Sequence, residues 1–286
     1  MMSDQHFKVQ HSPLAAFVSA SKKGWMDDEL SHRPLLRLPT KSEKKMHCLT
    51  ILADNSAIGF ACLTEGDQII LSPMSGPATT ALAEYFIEQR LDIPGIFAPK
   101  QAGTMMARAL ERLNGAPYSA VKHILHWALL PPINQSHKVG QLRRARPNDI
   151  SVLIEMFMAM QDEMNTQRPF NARQMVTAAL KAKSLYVGDA EQGEIACVGT
   201  VDLSDRESQY GEIGHIYTAP PYRGHGFASA LIGHLAKEIV KKKSAVFLSS
   251  DANDAASRRL YHKMGFIIGA EMVNLRQQQT SSTPRT

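Results

Sequence analysis

The segment best suited to chemistry reads Gly211-Glu212-Ile213-Gly214-His215-Ile216-Tyr217-Thr218-Ala219-Pro220-Pro221-Tyr222-Arg223-Gly224-His225-Gly226-Phe227-Ala228-Ser229. A strand pattern stops at a Pro-Pro turn, and a basic, glycine-containing loop then enters an apolar helix. Glycines let backbone approach a ligand closely, and the first turn of a helix carries N–H groups with no partner inside the helix. With the helix dipole added, this design favours an anion of the diphosphate kind, and Arg223 can supply a charge-assisted contact. Two other glycine loops are set aside. No Gly-Lys-Ser/Thr follows, as a Walker loop requires. Gly224, Gly226 and Asp251 mimic part of a dinucleotide-binding fingerprint. However, Pro220–Arg223 separates strand from glycine where that fold turns at once, and too little chain follows Asp251 to complete it. A plain turn with glycines for backbone reasons is the competing reading of these few residues.

Upstream of the loop, Glu212 and His215 could each accept a proton, directly or through water. Strand alternation puts positions of unlike parity on opposite faces, so only one of the two is expected to face a substrate unless a bulge intervenes. Gly214 could permit such a bulge. Cys197 sits mid-strand without an identifiable activating partner and reads as core. His123 and His126 lack a third ligand at a recognisable spacing, so no metal is expected.

The elements that must position these residues follow from periodicity and caps. Asp149 is expected to cap a helix over Ser151–Asp162, with Leu153, Phe157 and Met160 on one face, and Asn171 a second helix to about Lys181. Strand patterns cover Ser184–Gly188, Glu194–Leu203 and Gly211–Thr218. A helix over Ala228–Lys241 carries a buried stripe of Phe227, Leu231, Leu235 and Ile239. Its end, Lys241–Lys243, reads as a solvated terminus. Ala245–Ser250 is a buried strand. Asn253 or Asp254 caps a helix to Met264, Gly265 ends it, and Phe266 opens a last strand. The first half repeats the rhythm, with strands at Cys48–Ala53, Ile58–Leu63 and Gln68–Leu71, a helix over Pro77–Arg90, a strand at Gly95–Ala98, a helix over Gln101–Leu113 and a strand at His123–Leu130. At its equivalent junction, Leu71–Thr80 has no basic residue, a single glycine, and Pro77, which removes a backbone donor. Leu130-Pro131-Pro132 followed by polar residues reads as a linker. The expected domains are therefore 1–130, a linker at 131–139, a catalytic domain at 140–276, and a disordered tail at 277–286.

Composition bounds the function classes. The chain has 286 residues, 44% hydrophobic and 21% charged, as an ordinary globular protein of two domains would. Its net charge of +5 suits an anionic ligand without requiring nucleic acid. Three cysteines, Cys48, Cys62 and Cys197, are too few for a disulfide framework and fit a reducing cytoplasm. Met1–Gln10 lacks the apolar core of a signal peptide, and apolar runs are broken well before ~18 residues, so neither secretion nor a membrane span is expected.

Two blocks of the chain resemble the GNAT superfamily of N-acetyltransferases. Its coenzyme A loop, Arg/Gln-x-x-Gly-x-Gly/Ala, corresponds to Arg223-Gly224-His225-Gly226-Phe227-Ala228. Its last helix, Asn-x-x-Ala/Ser-x-x-Leu/Ile-Tyr-x-x-x-Gly-Phe/Tyr, is matched by Ser257, Leu260, Tyr261, Gly265 and Phe266, with Asp254 at the Asn position and Asn253 one residue early. The resemblance covers about Gly140 to Leu275 and is strongest to a bacterial subgroup with an added N-terminal half. It implies an α/β (α+β) acyl-CoA N-acyltransferase fold, a mixed and mostly antiparallel sheet flanked by helices, in two tandem GNAT-like halves of which the first has lost its coenzyme A loop. It implies an acetyl-CoA-dependent transfer to an amine by direct attack in a ternary complex. Backbone groups of Ile216, Tyr217 and Thr218 would hold the pantetheine arm, those of Gly224 to Ser229 the pyrophosphate beside Arg223, and Asn253 or Asp254 would also touch the arm. Tyr261 would protonate the leaving thiolate, unless it is a core aromatic, and Glu212 or His215 would be the base. The expected partners are a small-molecule or peptide amine, with no nucleic acid or membrane, in a monomer or homodimer. A non-catalytic acyl-CoA sensor is the alternative.

Overall fold

The computed structural model describes residues 6–14, 17, 28–38, 46–64, 68–133, 139–164 and 170–278. The centre of the expected linker and nearly all of the expected tail lie outside them. The chain divides into two compact units. One holds Met1–His126, Ser250–Asn253 and Ile268–Thr286; the other holds Trp127–Ser249 and Asp254–Ile267.

In the first unit β1 (Phe7–His11), β2 (Met46–Ala53), β3 (Ser56–Thr64) and β4 (Ile69–Leu71) pair antiparallel in succession, and β4 pairs parallel with β5 (Gly95–Pro99). The strand next to β5 is not β6 (Tyr118–Leu129), which follows in sequence, but the last strand of the chain, β12 (Ile267–Gln277). β12 runs antiparallel to β5, with Val273 opposite Ala98, and β6 lies beyond it. Helix α1 spans Glu29–Leu36, α2 Gly76–Glu88 and α3 Lys100–Asn114. Leu82 and Phe86 of α2 and Met106 and Leu110 of α3 bury against Ile51, Ile69, Ile96 and Val273.

The units are therefore not the single cut at 131–139 expected from the sequence. An apolar pattern identifies β12 as a strand but does not say which neighbour it joins, because pairing is a choice among distant partners. Strands β1 and β7 and helix α1 had no clear sequence signal. Gln141-Leu142-Arg143-Arg144 offers one apolar residue, and α1 carries Pro34 within it.

The second unit repeats the pairing succession. β7 (Gln141–Arg144), β8 (Leu185–Asp189), β9 (Ile195–Asp202) and β10 (Tyr210–Thr218) are antiparallel neighbours, and β10 is parallel to β11 (Ala245–Asp251). Helices α4 (Ile150–Glu163) and α5 (Ala172–Lys181) cover one face, where Leu153, Phe157 and Val176 pack with Val187, Val198 and Tyr217. Helix α6 (Phe227–Val240) covers the other, with the whole Phe227, Leu231, Leu235 and Ile239 stripe buried. Helix α7 spans Ala255–Lys263. Asn171 caps α5 as expected, accepting the Gln174 N–H. Asp149 stands at the N-cap of α4, as expected, but its side chain makes no cap hydrogen bond to that helix. It ends a short 3-10 turn and its carboxylate accepts the Arg146 N–H and pairs with Arg143 at 2.7 Å, and Arg143 also grips Asp189. Arg143 and the Arg146 N–H together hold the carboxylate away from the first turn of α4.

Candidate active site

The parallel pairing of β10 and β11 runs from Tyr210 opposite Ala245 to Glu212 opposite Phe247 and stops there. β10 nevertheless continues to Thr218, still paired with β9. Beyond Glu212 the side of β10 that faced β11 has no ladder partner among the described residues, so a wedge opens between two strands. The Thr218 hydroxyl at the end of this segment is buried without a hydrogen-bond partner. Unsatisfied buried polar atoms are costly, and a ligand with amide groups is one way to satisfy them. The wedge leads to the turn Pro220–Tyr222 and to Gly224 and Gly226, whose φ angles of +80° and +88° lie in the left-handed region that favours glycine. α6 starts at once after Gly226, with no side-chain cap. Its first backbone bond is Ala230 N–H to the Gly226 carbonyl. Among the described residues, the N–H groups from Gly224 to Ser229 have no partner and are available to an anion.

Glu212 and His215 were expected on opposite faces, but β10 carries a bulge. Its register with β9 slips between Gly214, opposite Thr200, and Tyr217, opposite Val198, and His215 has φ +50°. The slip brings both residues to one face. A Cβ on Gly211 would lie 2.5 Å from Ile239 of α6, so Glu212, one residue on, points to the α4 face. His215 is there too, stacked on Phe157 of α4 at 5.6 Å, edge-on to Phe170 at 5.7 Å, and hydrogen-bonded through Nδ1 to Thr200 Oγ1 at 3.1 Å. Crowding by protein lowers the pKa of His215 below its usual 6.5, with the Glu212 charge opposing the shift. A neutral imidazole is the form that accepts a proton. His215 and Phe170 line an open cavity of about 900 Å³ that extends along α5 and the end of β9. The apolar residues Phe157, Met160, Met164 and Phe170 divide between core and cavity. Phe157 and Met160 are core, Met164 is exposed, and Phe170 alone of the four reaches the cavity.

Comparison with known proteins identifies this geometry. Residues 153–266 match the model of the acetyltransferase (GNAT) family, a span that includes the bulge, the wedge, the glycine loop and α7. This segment is a GNAT-family domain. Solved structures extend the fold to nearly the whole chain. A GNAT-family acetyltransferase from Colwellia psychrerythraea aligns with a TM-score of 0.63 at 15% identity, over 94% of this chain and 99% of its own. A GCN5-related N-acetyltransferase from Sphaerobacter thermophilus aligns with a TM-score of 0.63 at 18% identity, over 95% of both chains. A tandem GNAT protein from the clavulanic acid biosynthesis pathway aligns with a TM-score of 0.57 at 12% identity, over 95% of this chain and 98% of its own. No curated protein matches the sequence.

In this GNAT domain Arg223 does not extend over the helix start. Its Nε donates to the Thr218 carbonyl at 2.9 Å, its Nη2 reaches both Glu163 oxygens at 2.7 Å, and its guanidinium lies 5.4 Å from the centre of the Tyr217 ring. The Tyr217 hydroxyl donates to Glu163 as well. Glu163, which sequence reading missed because it is 60 positions away, therefore ties α4 to the loop. Both charged side chains are 46% exposed, so the pair is worth only about 0–1 kcal/mol. Arg223→Ala is accordingly expected to weaken acetyl-CoA binding by less than about tenfold, with Glu163→Gln reproducing the effect. Calorimetry that finds a far larger loss in Arg223→Ala alone would place the guanidinium on the phosphate instead.

Tyr261 on α7 is buried between Trp127 at 5.6 Å and Phe266 at 5.8 Å. Burial pushes its phenol above the usual value of 10, against a hydrogen bond with Ser257, so the phenol keeps its proton. Asp254, rather than Asn253, is the cap of α7, accepting the N–H groups of Ala256 and Ser257 at 3.0 Å and the Ser257 hydroxyl. Asn253 is exposed beside it. Cys197 is buried, and its thiol is pushed up to about 12, so it is inert. Among the described residues no three His, Cys, Asp or Glu side chains form a metal-binding group, and no helix is long and apolar enough to cross a membrane.

Proposed function

We propose that the protein is an acetyl-coenzyme A-dependent N-acetyltransferase acting on a small-molecule or peptide amine. The observation that carries this reading is the wedge between β10 and β11 opening onto the partner-free N–H groups of Gly224 to Ser229. Coenzyme A joins an amide-bearing arm to a pyrophosphate, and the wedge and the helix start offer those two surfaces in that order. The unpartnered Thr218 hydroxyl and the backbone of Ile216 and Tyr217 suit the arm.

Transfer needs three things from this chain. The attacking nitrogen must lose a proton, and His215, held neutral, or Glu212 takes it. As the nitrogen bonds the thioester carbon, the carbonyl oxygen gains charge that the fixed N–H groups of β10 stabilise. The C–S bond then breaks and the thiolate takes the Tyr261 proton. In the first unit, the corresponding helix α2 has its Ala78 N–H occupied by the Ser75 hydroxyl, and Pro77 has none to offer, so that unit serves as scaffold.

The test is release of coenzyme A thiol from acetyl-CoA. It should require an added amine, and titration should find one coenzyme A per chain. With saturating amine, the acid limb of kcat should lie below pH 6.5, because His215 protonates only below its lowered pKa. His215→Gln should abolish that limb. If Glu212→Gln does so instead, the base is Glu212. Stoichiometric binding with no turnover across a broad amine panel would leave a coenzyme A-binding sensor.

A further inference from the structure

One cross-strand contact fixes how His215 meets the cavity. Thr200 of β9 lies opposite Leu185 of β8, which packs with Leu153 and Phe157, so the Thr200 side chain stands on the α4 face. On its other side Thr200 is opposite Gly214 of β10. A Cβ on Gly214 would lie 3.1 Å from Thr200 Oγ1, closer than side chains ordinarily pack, so glycine leaves the hydroxyl room to reach past it to the next residue. The bulge turns that residue, His215, onto the same face, and the hydroxyl meets its Nδ1 at 3.1 Å. Phe157 stacks on the ring and Phe170 stands edge-on to it. Thr200 and His215 line the same cavity. Among the described residues Nδ1 has this bond and Nε2 has none.

We infer that Thr200 is a positioning residue for acetyl transfer: its hydroxyl accepts the His215 Nδ1–H, and Nε2 is the nitrogen that takes the proton of the acceptor amine. This rests on the N-acetyltransferase reading and narrows its base to one atom. A hydroxyl can give or take a hydrogen bond, so the contact has two forms. Where Thr200 gives, the Nδ1 lone pair is engaged and Nε2 carries the ring proton, and no lone pair is left for the acceptor. Where Thr200 takes, the ring proton sits on Nδ1 and the Nε2 lone pair is open. Only the second form is a base towards the cavity. Phe157 cannot make this choice, because a stacked ring meets both tautomers alike. In the reaction Nε2 gains the amine proton as the amine nitrogen bonds the thioester carbon. The imidazolium so formed keeps its Nδ1–H bond to Thr200 and later returns the Nε2 proton to solvent.

The tautomer is read by nitrogen-15 magnetic resonance of histidine-labelled protein above about pH 7, where His215 is neutral, with His215→Gln identifying its signal. Neither acetyl-CoA nor an amine is needed. The wild-type protein should show the Nδ1–H form. Thr200→Val keeps the branched shape without the hydroxyl, and the Nε2–H form should appear in it. Thr200→Ser should return to Nδ1–H. Gly214→Ala, which crowds the hydroxyl, should behave as Thr200→Val does and serves where that variant fails to fold. In turnover with saturating amine, Thr200→Val should lower kcat about tenfold or more, a share of the ~10²–10⁴-fold that a positioned base contributes, while KM moves less. Thr200→Ser should recover most of that loss. An Nε2–H tautomer in the wild-type protein would overturn the inference, and so would a Thr200→Val that loses the Nδ1–H form yet keeps its kcat; in both cases continued amine acetylation leaves the enzyme assignment standing. If no amine is acetylated while the tautomer follows the hydroxyl as expected, the catalytic reading fails and the hold of Thr200 on the ring stands.

Discussion

Gly226→Val should bind acetyl-CoA about a hundredfold more weakly than the wild-type protein while still folding. Gly226 is the residue before α6, with φ +88° and ψ 0°, and a Cβ there would have Val139 at 3.6 Å as its nearest neighbour. Space is therefore not the obstacle in the unliganded protein; conformation and approach are. A non-glycine residue in the left-handed region costs roughly 1–2 kcal/mol, and a β-branched one sits badly there. The side chain would also stand at the mouth of the N–H groups that receive the pyrophosphate. Losing one hydrogen bond to a charged group costs about 1.5–3 kcal/mol, and a factor of ten in affinity is about 1.4 kcal/mol. Strain that twists the loop and one lost contact together reach a hundredfold. Calorimetry on the variant, with thermal unfolding as the control for folding, decides it. Undiminished affinity in a folded variant would remove the glycine loop from the binding site.

The loop was legible in the sequence because its signals are local. A Pro-Pro turn, two glycines and an apolar stripe lie within one short stretch, and each dictates backbone geometry by itself. The cap of α7 was narrowed in the sequence to two adjacent residues, and hydrogen-bond reach chose Asp254. What the sequence left hidden was set by distant partners. Glu163 reads as the solvated end of a helix until the fold brings Arg223 to it. Thr200 and Phe157 gain meaning only as the groups that fix the His215 ring. The bulge lies between these cases. Gly214 made it possible, but a two-residue period cannot show a register slip, and so alternation put Glu212 and His215 on opposite faces. The pairing of β12 with β5 is the largest instance, since nothing within Ile267–Gln277 names a partner.

Tyr261→Phe should lower kcat by ~10²–10⁴-fold, the usual worth of a positioned general acid, with little change in acetyl-CoA affinity. The substitution keeps the ring that packs against Trp127 and Phe266 and removes only the hydroxyl. That distinction matters because burial alone would make Tyr261 an ordinary core aromatic. Its surroundings add a polar chain that a packing residue does not need: the phenol hydrogen-bonds with Ser257, whose hydroxyl donates to Asp254. Burial raises the phenol pKa above 10. A raised pKa means the proton is retained as pH rises through the neutral range and is lost only on the alkaline side. The wild-type kcat should therefore fall only above pH 10, and the remaining activity of Tyr261→Phe should lack that alkaline limb. Ser257→Ala separates the two accounts further, because it leaves the aromatic packing alone while changing what the phenol bonds to; it should move the limb without removing it. Single-turnover measurements keep product release from masking the chemical step. If Tyr261→Phe retains the full single-turnover rate and the same alkaline limb, the leaving thiolate takes its proton from another source and Tyr261 only fills the space between Trp127 and Phe266.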